Sequence, residues 1–405
     1  MLKTLSGIVL LLAVFSAQGQ DRCGTVQLIQ QYRMQHPDWH EAYAADSLLL
    51  AQAPAANSSQ RQVITIPVVV HVIYKAPDEN ISDAQVQSQM DALNRDYRAQ
   101  NSDTANVPQI FKALRADCRI EFCLARQDPA GQPTNGIDRF LTALDSFTIG
   151  TDMKTAPYGV PGWDNTRYLN IWVCHLSHGL LGFSSCPPNF IPATQDGCVI
   201  RYTAFGTNGT ATYPFNMGRT ATHEVGHWLG LLHTWGDDGG ACSGSDLIDD
   251  TPNQADANFG CPTYPHPTCS NSSDMFMDYM DYVDDRCMLL FTYGQNGRMD
   301  YVLYQLRPGI LSSNACEVPA GFASNELAVL LSISPNPTAG NILISTGSVL
   351  NKNIVVTCTN QNGQRVMEQT FFFGQQDHYA LDMHLLPNGI YMLQLSDGQH
   401  TLPGK

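Results

Sequence analysis

The chain has 405 residues, which exceeds the size of one ordinary hydrophobic core and predicts two or three domains. Its 37 acidic residues against 22 Lys and Arg give a formal net charge of −15 at pH 7. This balance disfavours nucleic acid and anionic membranes as partners, because both bind clustered basic residues. It is compatible with calcium and cationic substrates, although a solvated acidic surface is the plainer explanation for most of these carboxylates.

Residues 1–19 have the organisation of a secretory signal peptide. Lys3 supplies the positive start, residues 8–15 form a short apolar run, and residues 17–19 supply small side chains for cleavage. The run is too short to span a bilayer, and no later stretch of the sequence is long enough. We therefore expect an exported protein without a transmembrane segment, whose 12 cysteines mainly form disulfides.

Residues 20–60 are polar, weakly helical and too few to fold alone. At residue 63 an apolar, β-branched run begins that predicts a buried strand to residue 74, with His71 as a packing residue. Ser82-Asp-Ala-Gln85 has the capping-box pattern and precedes apolar residues at helical spacing. Further strands are predicted at residues 120–125, 168–174 and 198–202. This order predicts an α+β fold, with helices packed on a mixed sheet.

Residues 222–233 read Thr-His-Glu-Val-Gly-His-Trp-Leu-Gly-Leu-Leu-His. Residues four apart share a helix face, so His223 and His227 can present two imidazoles to one metal ion. Glu224 is offset by about 100° and reaches a metal-bound water instead of the metal. Gly230 permits the positive φ that turns the chain and returns His233 as a third ligand. Three histidines leave one position of a tetrahedral zinc open, as in catalytic sites.

Two histidines four residues apart are common by chance, so this pair alone is weak evidence for a metal site. The complete motif, with apolar residues on the other helix face, favours a catalytic zinc site. The residues alone leave three possibilities open: a zinc peptidase, a zinc hydrolase of non-peptide substrates, and a catalytically silent binding protein. In either enzyme Glu224 would accept a proton from a zinc-bound water.

Residues 236–252 form an acidic, Gly-rich loop after the motif. The density of oxygen ligands suits Ca²⁺, which takes six to eight of them, although the spacing is not that of an EF-hand. The side chains concerned are Asp237, Asp238, Asp246, Asp249, Asp250 and Thr251.

Residues 327–405 are rich in short strand-like segments separated by turn residues such as Asn362-Gly363 and Asn388-Gly389. This pattern predicts a small β-sandwich without catalytic residues. Upstream of it, Thr292-x-x-Gln295 predicts the capped start of a helix.

The zinc motif, Asp249-Asp-Thr-Pro252 and residues 280–288 together resemble the pappalysin family of the metzincin clan of metalloproteases. The resemblance covers roughly residues 63–316, and the three motifs agree in order and spacing. It implies a two-lobed catalytic domain, expected at residues 61–318. It also implies a zinc endopeptidase in which His223, His227 and His233 bind zinc and Glu224 handles protons.

The same resemblance implies further roles in the cleft. Met280 would lie in a Met turn beneath the histidines, and Tyr282 would hydrogen-bond the transition state. Because Met-Asp-Tyr occurs twice, at residues 277–279 and 280–282, Met277 and Tyr279 could fill these roles instead, although this match is less favoured. Asp285 would lie at the base of the S1′ pocket, implying cleavage before Arg or Lys, because a buried carboxylate binds a guanidinium strongly.

Rim, calcium and disulfide residues are also implied by the resemblance. Gly179, Leu180, Leu181 and Gly182 would form the upper-rim strand that pairs with an extended substrate. Asp246, Thr251 and Asp249 match the family's calcium loop, and its disulfides match Cys242–Cys269 and Cys261–Cys287. Six further cysteines could form three bridges of unknown pairing: Cys118, Cys123, Cys174, Cys186, Cys198 and Cys316.

An exported protease needs restraint until it is outside the cell, so we interpret residues 20–60 as a pro-segment. Asp21-Arg-Cys23-Gly-Thr25 resembles the cysteine switch of metzincin zymogens. The Cys23 thiolate would then occupy the zinc position that water needs. The alternative is that Cys23 is a disulfide partner or an incidental thiol.

The C-terminal part, residues 326–405, resembles the sorting domain of the type IX secretion system. The matching features are residues 334–340, Gly363 before a strand, and residues 386–393. The resemblance implies that the secretion machinery is a partner, with export through the periplasm to the medium or the cell surface. The alternative for this domain is a binding or adhesion module.

Overall fold

The computed structural model describes residues 22–35, 62–185, 192–319, 332–334, 338, 340–345, 352–373, 378–396 and 401–402. The chain divides into two compact units. The first contains the described residues up to 124 and residues 137–314, and the second contains residues 125–136 and those from 315 onward. The expected signal peptide, most of the expected pro-segment, and Cys186 lie outside the described residues.

The described residues of the first unit form five α-helices and six strands. The helices are α1 (Thr25–Gln35), α2 (Asp83–Tyr97), α3 (Arg219–Trp228), α4 (Tyr293–Tyr301) and α5 (Pro308–Leu311). The strands are β1 (Ile64–Tyr74), β2 (Ile120–Leu124), β3 (Ile137–Leu141), β4 (Leu169–Cys174), β5 (Gly182–Ser184) and β6 (Cys198–Arg201). Short turns of 3₁₀-helix lie at Ser102–Asn106, Lys112–Leu114, Asp152–Lys154, Ala193–Gln195, Tyr202–Ala204 and Asp285–Cys287, and a π-helical turn lies at Val302–Leu306.

Strand β1 is the centre of a mixed sheet with the order β2-β1-β4-β6-β5, in which β3 also pairs with β1. Along one edge of β1, β2 pairs with residues 64–68 and β3 with residues 70–74, both in parallel. Strands β4 and β6 continue the parallel arrangement, and only β5 is antiparallel. A parallel sheet is covered on both faces, which explains the continuous apolar run of β1.

The strands and helix predicted between residues 63 and 202 are confirmed to within about two residues. His71 is fully buried and stacks on Trp172, with ring centroids 5.2 Å apart, as expected of a packing residue. At the start of α2, Ser82 accepts the predicted bond from the Gln85 N–H, but the Gln85 amide donates to the Phe205 carbonyl instead of completing the box. At the start of α4 both halves of the Thr292–Gln295 capping box form.

Helix α3 packs on strands β5 and β6 and on helix α2. A buried ion pair lies near its C-terminal end: the Arg307 guanidinium donates two hydrogen bonds to the Asp196 carboxylate, at 2.5 and 2.9 Å. The guanidinium also lies over the Trp228 ring, 3.8 Å from its centroid. Removal of either partner would leave a buried charge unpaired. This would lower the free energy of unfolding by about 3–5 kcal/mol.

The proposal of three further bridges is wrong. Cys174 and Cys198 are buried free thiols, whereas Cys123 and Cys316 are each disulfide-bonded. In the β4–β6 register Cys198 lies opposite Ile171, three residues from Cys174. Three residues along a strand span about 10 Å, which is beyond the Cα–Cα reach of a disulfide. The structure contains the disulfides Cys242–Cys269 and Cys261–Cys287, with Cα atoms 5.4 and 5.8 Å apart.

The described part of the second unit is built from two antiparallel sheets. One has the order β10-β9-β12-β13 and the other β11-β8-β7. The strands are β7 (Ser332–Ser334), β8 (Asn341–Ser345), β9 (Asn353–Asn360), β10 (Arg365–Phe372), β11 (His378–Asp382), β12 (Tyr391–Ser396) and β13 (Thr401–Leu402). Side chains of both sheets share one core that contains Ile344, Ile354, Phe373 and Leu381. This arrangement is a small β-sandwich, as predicted.

Candidate metal centre and substrate cleft

The fully buried helix α3 carries the first two histidines of the motif and ends at Trp228. Gly230 has φ of 86°, the left-handed conformation that glycine adopts without strain. The Leu231 N–H then bonds the Gly226 carbonyl at 2.9 Å, which closes the helix end. The chain reverses here and brings His233 back to the helix, as the sequence predicts.

The three imidazoles converge on one point. Nε2 of His227 lies 3.1 Å from Nε2 of His223 and 3.1 Å from Nε2 of His233. Nitrogen ligands at about 2.0–2.1 Å from a tetrahedral zinc are about 3.3 Å apart, so the spacing fits this ion. All three residues are buried, with at most 3% of their surface exposed.

The other ring nitrogen of each histidine has a fixed acceptor. Nδ1 of His223 lies 2.7 Å from the Tyr279 carbonyl, and Nδ1 of His227 lies 2.8 Å from the Leu231 carbonyl. Burial lowers the pKa of His223 to about 3 and that of His227 well below its usual range. Neutral rings that carry the proton on Nδ1 direct the Nε2 lone pairs at one another, and this arrangement suits a cation between them.

The third acceptor is Asp237, whose carboxylate lies 2.8 Å from Nδ1 of His233. The composition of the loop places Asp237 among the predicted calcium ligands and does not reveal this contact with His233. One sequence feature could have indicated the contact: Asp237 lies four residues after the third histidine, and ligating histidines tend to hydrogen-bond a carboxylate.

Glu224 lies beside the histidines with 1% of its surface exposed, and burial raises its pKa to about 8. The edge strand β5 approaches it closely at Gly182. A Cβ atom at Gly182 would lie 2.9 Å from Cγ of Glu224, so only glycine allows this approach. Of the other predicted rim residues, Gly179 lies in a turn with φ of 76°, Leu180 is buried, and Leu181 accepts the Arg201 N–H at 2.7 Å.

Met280 lies fully buried beneath helix α3. A Cβ atom at Gly226 would lie 2.5 Å from the Met280 sulfur, so the helix and the Met turn are in direct contact. The Tyr282 ring lies against the histidines, with its centroid 4.9 Å from that of His233. Its hydroxyl donates to the Cys23 carbonyl at 3.3 Å.

Asp285 has 1% of its surface exposed and lines an open cavity together with Phe215, Glu224 and Tyr282. Its Oδ2 accepts the backbone N–H of Met217 at 2.7 Å, and its Oδ1 has no hydrogen-bond partner among the described residues. Burial raises the pKa of Asp285 to about 7. The cavity therefore contains a buried carboxyl oxygen without a donor.

Cys23 lies in the same centre. Its sulfur and one nitrogen of each of the three histidines all lie within 4.8 Å of one another. The chain around it pairs with the rim: the Gly24 N–H donates to the Gly182 carbonyl at 2.9 Å, and the Leu181 N–H donates to the Arg22 carbonyl at 2.8 Å. The Thr25 hydroxyl donates to Oε2 of Glu224 at 3.1 Å. The donor set of three nitrogens and one sulfur fits zinc.

The acidic loop uses its carboxylates in several ways. The Thr251 hydroxyl donates to Asp246 at 2.7 Å, so these two predicted calcium ligands lie together, whereas Asp249 is exposed. Asp238 accepts backbone N–H groups of its own loop, including that of Gly244. Asp250 accepts the Thr292 hydroxyl at the start of helix α4.

We predict that Asp237→Ala weakens zinc binding by about 10–100-fold, because it frees the ring of His233 and its proton. Competition with a chromophoric chelator measures the affinity. Asp238→Ala is the matched control, since it removes a neighbouring carboxylate whose hydrogen bonds, among the described residues, stay within its own loop. Equal affinities of the Asp237→Ala variant and the unaltered protein would contradict the assignment.

Comparisons with known proteins agree with this geometry. Residues 159–304 match the family model described as pregnancy-associated plasma protein-A, and residues 332–405 match the secretion system C-terminal sorting domain. An extracellular metalloprotease of Pyricularia oryzae is 34% identical over 295 residues, which cover 69% of this chain and 91% of the relative. Extracellular metalloprotease 1 of Coccidioides posadasii is 40% identical over 300 residues, which cover 72% of this chain and 92% of the relative.

Solved structures give the same result. Mature mirolysin of Tannerella forsythia, in complex with a cleaved peptide, is 49% identical, with a TM-score of 0.60 over 62% of this chain and 96% of that chain. A promirolysin mutant from the same organism is 44% identical, with a TM-score of 0.65 over 72% of this chain and 97% of that chain. No helix in the part of the chain that the structure describes is long and apolar enough to cross a membrane. The chain belongs to the pappalysin family and is a secreted metalloendopeptidase.

Proposed function

We propose that this protein is made as a zymogen and, once active, hydrolyses peptide bonds on the N-terminal side of Arg or Lys. The observation that carries the proposal is the convergence of three histidine Nε2 atoms, 3.1 Å apart, beside the buried Glu224. This arrangement supports a zinc site with one position left for the reacting water or the substrate.

The chain's own residues would bind the substrate and move the protons. Zinc, when bound, supplies a Lewis acid that polarises a carbonyl and lowers the pKa of water. Glu224 accepts a proton from the attacking water and returns it to the leaving amine. The Tyr282 hydroxyl, beside the histidines, donates a hydrogen bond to the developing oxyanion, a contribution of a few kcal/mol. The edge of strand β5 pairs with the substrate backbone.

The preference for a basic side chain rests on Asp285. Its buried Oδ1 has no hydrogen-bond partner among the described residues, and the cavity that it lines adjoins Glu224. A buried acceptor without a donor is costly, and a substrate guanidinium or ammonium group would satisfy it. This contact favours Arg or Lys in the pocket.

Latency is supported by the position of residues 22–25. Cys23 supplies a fourth donor atom at the histidine cluster, and Thr25 bonds the Glu224 carboxylate. A bound pro-segment would therefore block the water site and the proton acceptor together.

The proposal has two further parts. The first is a structural calcium ion at Asp246 and Thr251, supported by the contact between these residues. The second is export by the type IX machinery through residues 326–405, supported by the sorting-domain match.

We predict that the activated enzyme cleaves peptides before Arg and Lys, and that Glu224→Ala binds zinc but loses nearly all turnover, because the proton acceptor is missing. Mass spectrometry of the peptides released from a mixed proteome measures the cleavage specificity and the turnover of each variant. The same measurement is repeated after chelation, with zinc and calcium restored separately. Substantial cleavage by Glu224→Ala would remove the assignment of the base. If calcium changed neither the activity nor the melting temperature of the enzyme, this result would contradict the proposed calcium site.

We predict that Cys23→Ala in the full chain gives premature activity, because the fourth donor is lost from the metal centre. Hydrolysis of a fluorogenic Arg peptide before any processing measures this effect. Cys358→Ala is the control, since that thiol lies in the second unit. Unchanged latency of Cys23→Ala would show that its thiol is not the switch.

We predict that cells making a chain without residues 326–405 retain the protease in the periplasm, because the signal for the last export step is missing. Immunoblots of periplasm, cell surface and medium measure its location. Normal release into the medium with lost binding to surfaces would favour the adhesion module instead.

A further inference from the structure

Arg219, the first residue of helix α3, has a fully buried side chain at the N-terminal end of that helix. This end of a helix is electrostatically positive, so a buried cation here is unfavourable unless anions surround it. Its Nη2 donates to Oδ1 of Asp103 at 3.0 Å, and its Nη1 lies 2.7 Å from Oδ2 of the same carboxylate. Its Nε lies 3.6 Å from Oδ2 of Asp96, whose side chain is also fully buried. Two carboxylates, from helix α2 and from the turn that follows it, thus hold the guanidinium in place.

Arg219 is also joined to Asp285, through both its side chain and its main chain. Nη1 of Arg219 donates to the main-chain carbonyl of Asp285 at 2.7 Å. The backbone N–H of Arg219 donates to Oδ2 of the Asp285 carboxylate at 3.3 Å, beside the 2.7 Å bond from the N–H of Met217. The carboxylate therefore lies against the positive end of helix α3 and close to a buried guanidinium. Both features favour its anionic form.

A purely structural ion pair is the plain alternative, and the pair of Arg307 with Asp196 is an example of one. Arg307, near the C-terminal end of the same helix, donates to both oxygens of the Asp196 carboxylate, which also accepts the Ser185 hydroxyl. Asp285 differs, because its Oδ1 has no hydrogen-bond partner among the described residues and the side chain lines the cavity beside Glu224. A carboxylate that is held through one oxygen and free at the other is suited to bind a ligand.

We propose that Arg219 is a positioning residue for substrate specificity: its buried charge and its bond to the Asp285 carbonyl keep the Asp285 carboxylate anionic at the cavity. Arg219 is fully buried, so it acts through Asp285 and not on the substrate itself. The inference rests on the proposed cleavage before basic residues. It extends that proposal by explaining how a deeply buried carboxyl group stays charged and can bind a cationic side chain.

The protonation of Asp285 depends on opposing effects. Burial raises the pKa of Asp285 to about 7, whereas the charge of Arg219 lowers this pKa and the charge of Asp96 raises it. Without Arg219 the pKa of Asp285 would rise further, and the carboxyl group would be neutral over a wider range of pH. A neutral carboxyl group binds a guanidinium much less strongly than a carboxylate does.

The other titratable groups around Asp285 stay in place when Arg219 is replaced. Asp96 and Asp103 lie on the side of helix α2, and Asp284 is the neighbour in the chain. The titratable residues that line the cavity with Asp285 are His223, Glu224, Asp281 and Tyr282, together with Arg22 and Cys23 in the unprocessed chain. A change in the titration of Asp285 in an Arg219 variant can therefore be assigned to the lost guanidinium.

The test measures kcat/KM of the activated enzyme against pH, on peptides that differ only in Arg or Leu after the scissile bond. Glu224 acts on both peptides, so its titration cancels in the Arg-to-Leu ratio. In the unaltered enzyme we expect this ratio to rise as the pH increases through about 7, where Asp285 loses its proton. In Arg219→Met the midpoint of the rise should move up by about one pH unit or more, and the ratio at neutral pH should fall by about fivefold or more.

Arg307→Met is the matched control, because it removes a buried guanidinium near the other end of helix α3 and leaves the Asp196 carboxylate unpaired. It should lower the melting temperature and change neither the ratio nor its midpoint. Arg219→Lys keeps a positive charge and should recover most of the midpoint. The double variant Arg219→Met with Asp103→Asn removes both partners of the ion pair, and it replaces the single variant in the test if that variant does not fold.

The outcomes separate this inference from the proposed function. If the unaltered enzyme prefers Arg and the Arg219→Met variants keep its ratio and midpoint, the inference alone is overturned. It is also overturned if Arg307→Met lowers the ratio equally, or if the ratio falls without a change of midpoint, because the role of Arg219 would then be structural only. An unaltered enzyme without preference for basic residues would contradict the proposed function, and the role of Arg219 with it.

Discussion

The structure depends on bringing three imidazoles to one point when only two of them share a helix. Gly230 makes this possible, because its positive φ lets the chain reverse directly after helix α3. A residue with a Cβ at this position would be strained, and relief of that strain would move His233. The metal centre is thus a consequence of local backbone chemistry, and three fixed acceptors at Tyr279, Leu231 and Asp237 then hold the rings.

The same constraint organises the surrounding elements. The Met280 sulfur fills the space beneath Gly226, and Gly182 allows the edge strand to approach Glu224. Both contacts need the absence of a side chain. Residues 22–25, part of the proposed pro-segment, lie on the cleft side of the helix, where Cys23 meets the histidines and Thr25 bonds Glu224. In our account, residues of this short stretch contact the metal centre and the proton acceptor.

Much of the architecture follows from local pattern. The apolar runs of β1 and β4, the capping residues Ser82 and Thr292, and the histidine spacing are each read within one element, and the structure has them where the sequence predicts them. Features formed by segments that are distant in the sequence cannot be predicted from local pattern. The Arg22 guanidinium lies over the rings of Phe215 and Phe259, and no periodicity in the sequence signals such a contact. The reduced state of Cys174 and Cys198 depends on the register between two strands, which the spacing of cysteines does not encode.

X-ray absorption spectroscopy at the zinc edge, on the full chain and on the activated enzyme, is the most direct measurement of the metal centre. Our account predicts three nitrogen ligands at about 2.0–2.1 Å and one sulfur at about 2.3 Å in the full chain, and an oxygen in place of the sulfur after activation. A zinc without histidine nitrogen ligands, or one still enclosed by four protein ligands in the active enzyme, would contradict it.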